Sequence, residues 1–204
     1  MVKVYEYHYV PPPGISVSNS SLLLGTNGGT EFISLYSDVA WTRTISYDDP
    51  GVTGWLGASP ASGSGNATLE VTISPNSSTS TRSGTVIISD NSGTGLPSQN
   101  IRVSQDGVPA YITVSPTEMR FTSLSSKPFN ISSNTDWTIE IVYYDAAEQD
   151  WIDGLSAIQG SGDRNNIFVR INTLPPSGDM WEAQIRISDG KGKVATIDVS
   201  IDNT

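Results

Sequence analysis

Four carboxylates, Asp145, Glu148, Asp150 and Asp153, gather around Trp151 and Ile152. Paired carboxylates beside an aromatic ring are the equipment of glycosidic-bond cleavage, and several oxygens close together suit a hard cation such as calcium. The spacing is not that of an EF-hand loop, and the matching stretch ahead of Trp55 offers only Asp48 and Asp49. The segment therefore reads as a solvated acidic loop, with neither a metal nor a catalytic pair expected there. A single histidine, His8, and no cysteine leave no Ser-His or Cys-His nucleophile and no ordinary zinc site. No Gly-rich phosphate loop opens a helix. These residues predict no enzyme, no catalytic residue and no cofactor.

Aromatic side chains are the other residues able to do recognition chemistry. Trp41 and Trp137 sit in strands of alternating apolar character and are expected as core anchors. Trp55 and Trp151 follow irregular loops and precede an apolar residue, a placement that suits closing the end of a β-sandwich. Trp181 stands where the earlier half of the chain has Arg82, so it is the tryptophan expected to be exposed. Tyr47 matches Tyr143, and Tyr144 is an addition. Tyr143, Tyr144 and Trp181, with Tyr47, are the candidate contacts for sugar rings or a protein partner.

What must position these residues is a domain written twice. Trp41-Thr42 recurs as Trp137-Thr138 and Trp55-Leu56 as Trp151-Ile152, each 96 residues on. Gly63-Ser64-Gly65 returns as Gly160-Ser161-Gly162, Ser89-Asp90 as Ser188-Asp189, and Ile101-x-Val103-Ser104 as Ile197-x-Val199-Ser200. An offset held between 96 and 99 residues over that many landmarks marks two copies, residues 15–108 and 109–204. Alternation such as Leu69-x-Val71-x-Ile73 predicts strands at Ile15–Leu24, Glu31–Tyr36, Trp41–Ser46, Thr68–Ser74, Gly84–Ser89 and Asn100–Ser104. The second copy predicts Ile112–Thr122, Phe129–Ser133, Trp137–Tyr143, Ile167–Ile171, Ala183–Ser188 and Thr196–Ile201. No stretch keeps a helical period. The fold class is all-β: two tandem Ig-like antiparallel sandwiches, joined by the short linker Asp106-Gly107-Val108-Pro109 and expected to meet end to end as a rod.

Residues 1–14 form an arm outside the repeat. Val2 to Val10 alternates so that Tyr5, Tyr7 and Tyr9 share one face, and Pro11-Pro12-Pro13 then stops any sheet ladder. The arm reads either as a linker remnant or as a docking strand for a partner or a sister subunit, hence a possible homo-oligomer. Net charge is −10, divided as −4 over residues 15–108 and −6 over residues 109–204. Both halves repel phosphate backbones and anionic lipid, so nucleic-acid partners and membrane insertion are not expected. The absence of cysteine leaves the sheets to be held by packing alone and suggests a bacterial or phage source.

The run Ile112-x-Val114-Ser115-Pro116-x-x-Met119-x-Phe121 resembles the opening strand of BACON domains, Ig-like modules of Bacteroidetes. The Trp-Thr strand, the following Trp-Leu, the Gly-Ser-Gly turn and Arg82-Ser83-Gly84-Thr85 are similar to that family as well, and Ala61 to Ile73 is especially close. The resemblance covers roughly residues 15–204, in both copies. The first copy departs at Asn19, where the Ser-Pro proline would lie, and the second at Met180-Trp181-Glu182. The resemblance implies a non-catalytic β-sandwich with a carbohydrate-binding label and no defined ligand residues. With no apolar segment for export or membrane anchoring, the expected role is a structural or adhesion protein on an exterior surface. A phage virion component, a capsid or tail fibre or decoration attaching to Bacteroidetes-type hosts or glycans, is the leading form. The alternative is the carbohydrate-binding module region of a secreted or cell-surface Bacteroidetes glycan-handling protein.

Overall fold

Strict alternation along Ala67–Ile73 sends Leu69, Val71 and Ile73 into a core and leaves Thr68, Glu70 and Thr72 in water. That period of two is the local rule throughout the structure, a computed structural model that describes residues 14–203. The arm residues Tyr5, Tyr7 and Tyr9, and His8 with them, lie outside the described residues. The chain divides into two compact units, one ending at Val108 and the other beginning at Pro109. Among the described residues every regular element is a strand.

The first unit runs β1 (Ile15–Val17), β2 (Ser21–Leu24), β3 (Gly29–Ser37), β4 (Ala40–Tyr47), β5 (Leu56–Ser59), β6 (Ser62–Ser64), β7 (Ala67–Ile73), β8 (Arg82–Asp90) and β9 (Gln99–Gln105). A four-stranded sheet has the order β1-β3-β7-β5 and a five-stranded sheet the order β2-β9-β8-β4-β6. Ile33, Leu35, Trp41, Leu69, Val71, Val86, Ile88, Ile101 and Val103 form the core between them, each at most 3% exposed. The second unit runs β10 (Ile112–Ser115), β11 (Glu118–Phe121), β12 (Ser126–Ser133), β13 (Asp136–Tyr143), β14 (Ile152–Leu155), β15 (Gln159–Ser161), β16 (Arg164–Ile171), β17 (Met180–Ser188) and β18 (Val194–Asp202). Its sheets, β10-β12-β16-β14 and β11-β18-β17-β13-β15, repeat the first unit's order strand for strand.

Two expectations need correction. The single opening strand predicted at Ile15–Leu24 is two strands: β1 pairs antiparallel with β3, and β2 pairs parallel with β9 in the other sheet. The change of sheet occurs at Ser18–Ser20, where the Asn19 side chain accepts a hydrogen bond from the Ser21 amide at 3.0 Å. Ile112–Thr122 divides in the same way, into β10 and β11, on either side of Pro116. Apolar alternation survives a change of partner, so it reports which face is buried and not which sheet does the burying. The short edge strands β5, β6, β14 and β15, of three or four residues each, were too brief to show a period.

Candidate functional site

The repeated landmarks turn out to hold the fold. Trp41 is 1% exposed, and its indole N–H donates to the Gly65 carbonyl at 3.0 Å. Gly63 lies against the ring, where a Cβ would stand 2.6 Å from Cζ2. In the second unit the Trp137 indole donates to Gly162 O at 2.8 Å, and a Cβ on Gly160 would stand 2.4 Å from Cζ2. The Gly-Ser-Gly turn is thus a lid cut to fit a tryptophan, its last glycine taking positive φ, +74° at Gly65 and +65° at Gly162.

Trp55 and Trp151 are buried at 4% and 0% exposure. Tyr47 packs 6.0 Å from Trp55 and donates its hydroxyl to Leu56 O at 3.1 Å; Tyr143 packs 5.9 Å from Trp151 and donates to Ile152 O at 3.4 Å. Burial is the main reason the Tyr143 phenol is held above its usual range, with the Asp150 charge adding to it. The caps on the two tryptophans differ. Arg82 lies 4.7 Å above the Trp55 ring and donates to Ser74 O, Pro75 O and the side chain of Gln105, its cross-strand partner. Trp181 takes that position beside Trp151, with ring centroids 6.4 Å apart, and its cross-strand partner is Ile201. A polar Arg–Gln pair over one tryptophan is thereby matched by an apolar Trp–Ile pair over the other.

The exposed Tyr143–Tyr144–Trp181 surface considered from sequence is not formed. Tyr143 and Trp181 are half-buried and packed on the core, as is Tyr47 in the first unit. Tyr144, the next residue after Tyr143, emerges on the opposite side of the sheet at 60% exposure. The period of two forbids neighbours in an extended chain from sharing a face. Trp181 is inward because it is in phase with Ala183, Ile185 and Ile187 along β17.

Tyr144 stands on the outer face of the five-stranded sheet, and the strand registers define its surroundings. One row across the sheet reads Glu118, Asp198, Gln184 and Val142, and the next reads Arg120, Ser200 and Glu182, with Tyr144 beside Glu182. Of these, Glu118, Arg120, Tyr144, Glu182, Asp198 and Ser200 line, with Met180, a shallow groove of about 400 Å³. The Tyr144 hydroxyl donates to Asp198 Oδ1 at 3.3 Å, and Gln184 Nε2 donates to the same oxygen at 3.0 Å. Loss of solvation, the negative charge of Asp198 and that of Glu182 all push the Tyr144 phenol upward, so it stays protonated at neutral pH. The groove offers an aromatic ring, carboxylates and one guanidinium, with the half-buried Gln184 amide bonded to Asp198 beside it. Glu118, Arg120, Glu182, Gln184 and Asp198 were not singled out from sequence. Their signal was polar residues in outward phase on strands whose inward phase is Ile and Val.

The equivalent face of the first unit is closed. Arg102 occupies the Asp198 position and Asp48 the Tyr144 position, and the two form an ion pair. Their hydrogen bonds hold the Asp48 carboxyl below its usual range and the Arg102 guanidinium above its own.

In the acidic loop two of the four carboxylates have partners within the chain. Asp145 accepts the Ala147 amide of its own turn at 2.8 Å, and Asp153 pairs with Arg170. Among the described residues no three His, Cys, Asp or Glu side chains converge as a metal site requires. A wider depression of about 570 Å³ lies against the edge strand β15, lined by Trp137, Gly160 and Asp189 among others. Asp189 is engaged there in holding its own turn, accepting the Lys191 and Lys193 amides at 2.8 and 2.9 Å.

A family model for BACON, described as "Putative binding domain, N-terminal", matches residues 42–106, from within β4 to just past β9 of the first unit. By that description the matched segment is similar to a binding domain. No curated protein matches the chain. Among solved structures, a Bacteroides ovatus GH5 xyloglucanase in complex with a XXXG heptasaccharide is similar at 20% identity and a TM-score of 0.39. That likeness covers 54% of this chain and only 22% of the xyloglucanase. A protein from Bacteroides thetaiotaomicron solved by NMR is similar at 15% identity and TM-score 0.32, over 51% of this chain and 95% of its own. The titin domains z1z2 in complex with telethonin are similar at 10% identity and TM-score 0.46, over 96% of this chain and 98% of theirs. TM-scores of this size leave ligand and partner to be argued from the residues themselves.

Proposed function

We propose that this chain is a non-catalytic binding and adhesion protein that engages carbohydrate through the outer face of the second unit's five-stranded sheet, around Tyr144. The observation that carries this reading is the pairing of Tyr144 with Asp198. An aromatic ring 60% exposed is fixed in place by its own hydroxyl, beside carboxylates and an amide that remain open to a ligand. A sugar ring presents an apolar face of C–H groups and a rim of hydroxyls; the Tyr144 ring suits the first, and Asp198, Glu182 and Gln184 suit the second. The five tryptophans, Tyr47 and Tyr143 are packed into the sandwich, so they compete poorly as ligand contacts. The BACON match in the first unit supports a binding role, and the second unit's identical strand order supports reading it as a divergent member of the same family.

The test is a glycan array probed with the intact protein and with Tyr144→Ala. The reading predicts hits, at least one of which Tyr144→Ala abolishes and Trp181→Phe leaves in place; an array without hits, or one that Tyr144→Ala leaves unchanged, removes it. Display on an exterior surface is the finer form of the proposal, with a phage virion that meets Bacteroidetes-type hosts as the leading setting. Immunogold labelling of purified particles and of host cells decides between virion and cell envelope. The Tyr-rich arm is proposed as the attachment device, and light scattering on the full chain against one starting at Gly14 checks it. Equal oligomeric states with and without the arm would speak against that role in self-assembly.

A further inference from the structure

Strand β3 alternates Ile33 and Leu35, which enter the core, with Phe32, Ser34 and Tyr36, which point out of it. Phe32 is 67% exposed and Tyr36 54% exposed, although residues one step away on the same strand are sealed from water. Four residues of extended chain at about 3.3 Å each set the two rings roughly 13 Å apart on one side of the four-stranded sheet. The registers fill the space around them with hydroxyls. Ser34 lies opposite Thr68, and Thr30 opposite Thr72. Glu70, opposite Phe32, is the charged member of this set.

A protein partner would need a contiguous apolar centre that closes off water. Here Ser34 separates the rings and threonines flank them, so no such centre forms. A polyanion finds no cation among these residues, and Glu70 repels it. An extended neutral chain of sugars meets neither obstacle. Its C–H faces rest on separate rings, and its hydroxyls exchange hydrogen bonds with Ser34, Thr68 and Thr72. We propose that the outer face of β3 and β7 in the first unit is a second binding platform, for a neutral polysaccharide lying along β3 with Phe32 and Tyr36 as its two stacking points. This platform is on a different unit and a different sheet from the Tyr144 groove, and it does not depend on the reading of that groove.

Native affinity electrophoresis of the full chain tests it, with hydroxyethyl cellulose and galactomannan as neutral polymers and polygalacturonate as the acidic one. The Tyr144→Ala variant supplies a background in which the groove is disabled. In that background the neutral polymers are expected to retard the protein. Adding Phe32→Ala with Tyr36→Ala is expected to weaken retention at least ten-fold. Both rings are exposed, so the fold is expected to survive; Phe32→Thr with Tyr36→Thr, which suits a strand better, keeps the test sound if the alanines perturb it. Retention unchanged by loss of the rings, no retention by either neutral polymer, or stronger retention by polygalacturonate would each overturn the platform. A silent Tyr144→Ala would count against the groove alone.

Discussion

Replacing Gly160 by alanine adds one methyl group at a place where the structure has no room for it. The new Cβ would lie 2.4 Å from Cζ2 of Trp137, 2.7 Å from Cη2 and 3.0 Å from Cε2. Trp137 cannot withdraw, because it is 2% exposed and tied through its indole N–H to Gly162 O at 2.8 Å. Gly160 itself belongs to a three-residue edge strand paired only with β13, so the strand must lift away. Overpacking of this kind costs about 1–3 kcal/mol. Weakening the indole hydrogen bond adds about 1 kcal/mol. The sum, roughly 2–4 kcal/mol, lowers the midpoint of a unit this size by about 8–32 °C, taking 4–8 °C per kcal/mol. Calorimetry of the full chain reads it: Gly160→Ala shifts the second unit's transition down. Gly63→Ala, whose Cβ would stand 2.6 Å from Trp41 Cζ2, does the same to the first unit. A Gly160→Ala protein melting within about 2 °C of the parent would refute the account of the Gly-Ser-Gly turn as a lid fitted to tryptophan.

Other expectations are as direct. Trp181→Ala opens the half-buried cap over Trp151 and should cost the second unit about 2 kcal/mol, seen as a lower denaturant midpoint, with glycan binding on the outer face retained. Arg82→Trp and Gln105→Ile, which import the second unit's cap into the first, should each destabilise alone. Arg82→Trp strands the buried Gln105 side chain and Gln105→Ile leaves the half-buried Arg82 short of a partner, so the double variant should fall short of the summed loss by about 1–2 kcal/mol in a double-mutant cycle. Asp163 is held below the usual carboxylate range chiefly by the Ser133 amide and then by the Ser132 hydroxyl. A depressed folded pKa contributes stability that is present above the unfolded value, near 4, and lost as pH falls through the folded one. Asn66 makes the equivalent bond to the Ser37 amide in the first unit. Asp163→Asn should therefore keep its stability at pH 7 and flatten the second unit's decline in acid, as followed by circular dichroism from pH 5 to 2.

The sandwich was legible because its core strands are long and strictly alternating. Leu69, Val71 and Ile73 or Ile197, Val199 and Ile201 leave one choice of face. The buried roles of Trp41, Trp137, Trp55 and Trp151 followed from their positions in or beside such strands. The crossing of the opening strand between sheets was hidden, since period-two patterning is blind to the identity of the hydrogen-bonding neighbour. Trp181 was misleading for a different reason. Its lack of a counterpart suggested exposure, whereas it replaces the long aliphatic stem and cation of Arg82 as a cap with a ring of comparable reach. The groove around Tyr144 was only partly visible. Tyr144 was named from sequence, but the neighbours that orient it come from β11, β17 and β18, and only the registers bring Glu118, Asp198 and Gln184 into one row.

The most direct test of the central claim is a titration of the ¹⁵N-labelled full chain with an oligosaccharide selected on the array, followed by amide chemical shifts. Binding at the Tyr144 groove predicts shifts concentrated at residues 118–120, 142–144, 180–184 and 198–200, and their loss in Tyr144→Ala. Shifts gathered instead around the Trp151 loop or the Trp137 edge, or a pattern that Tyr144→Ala leaves intact, would contradict it.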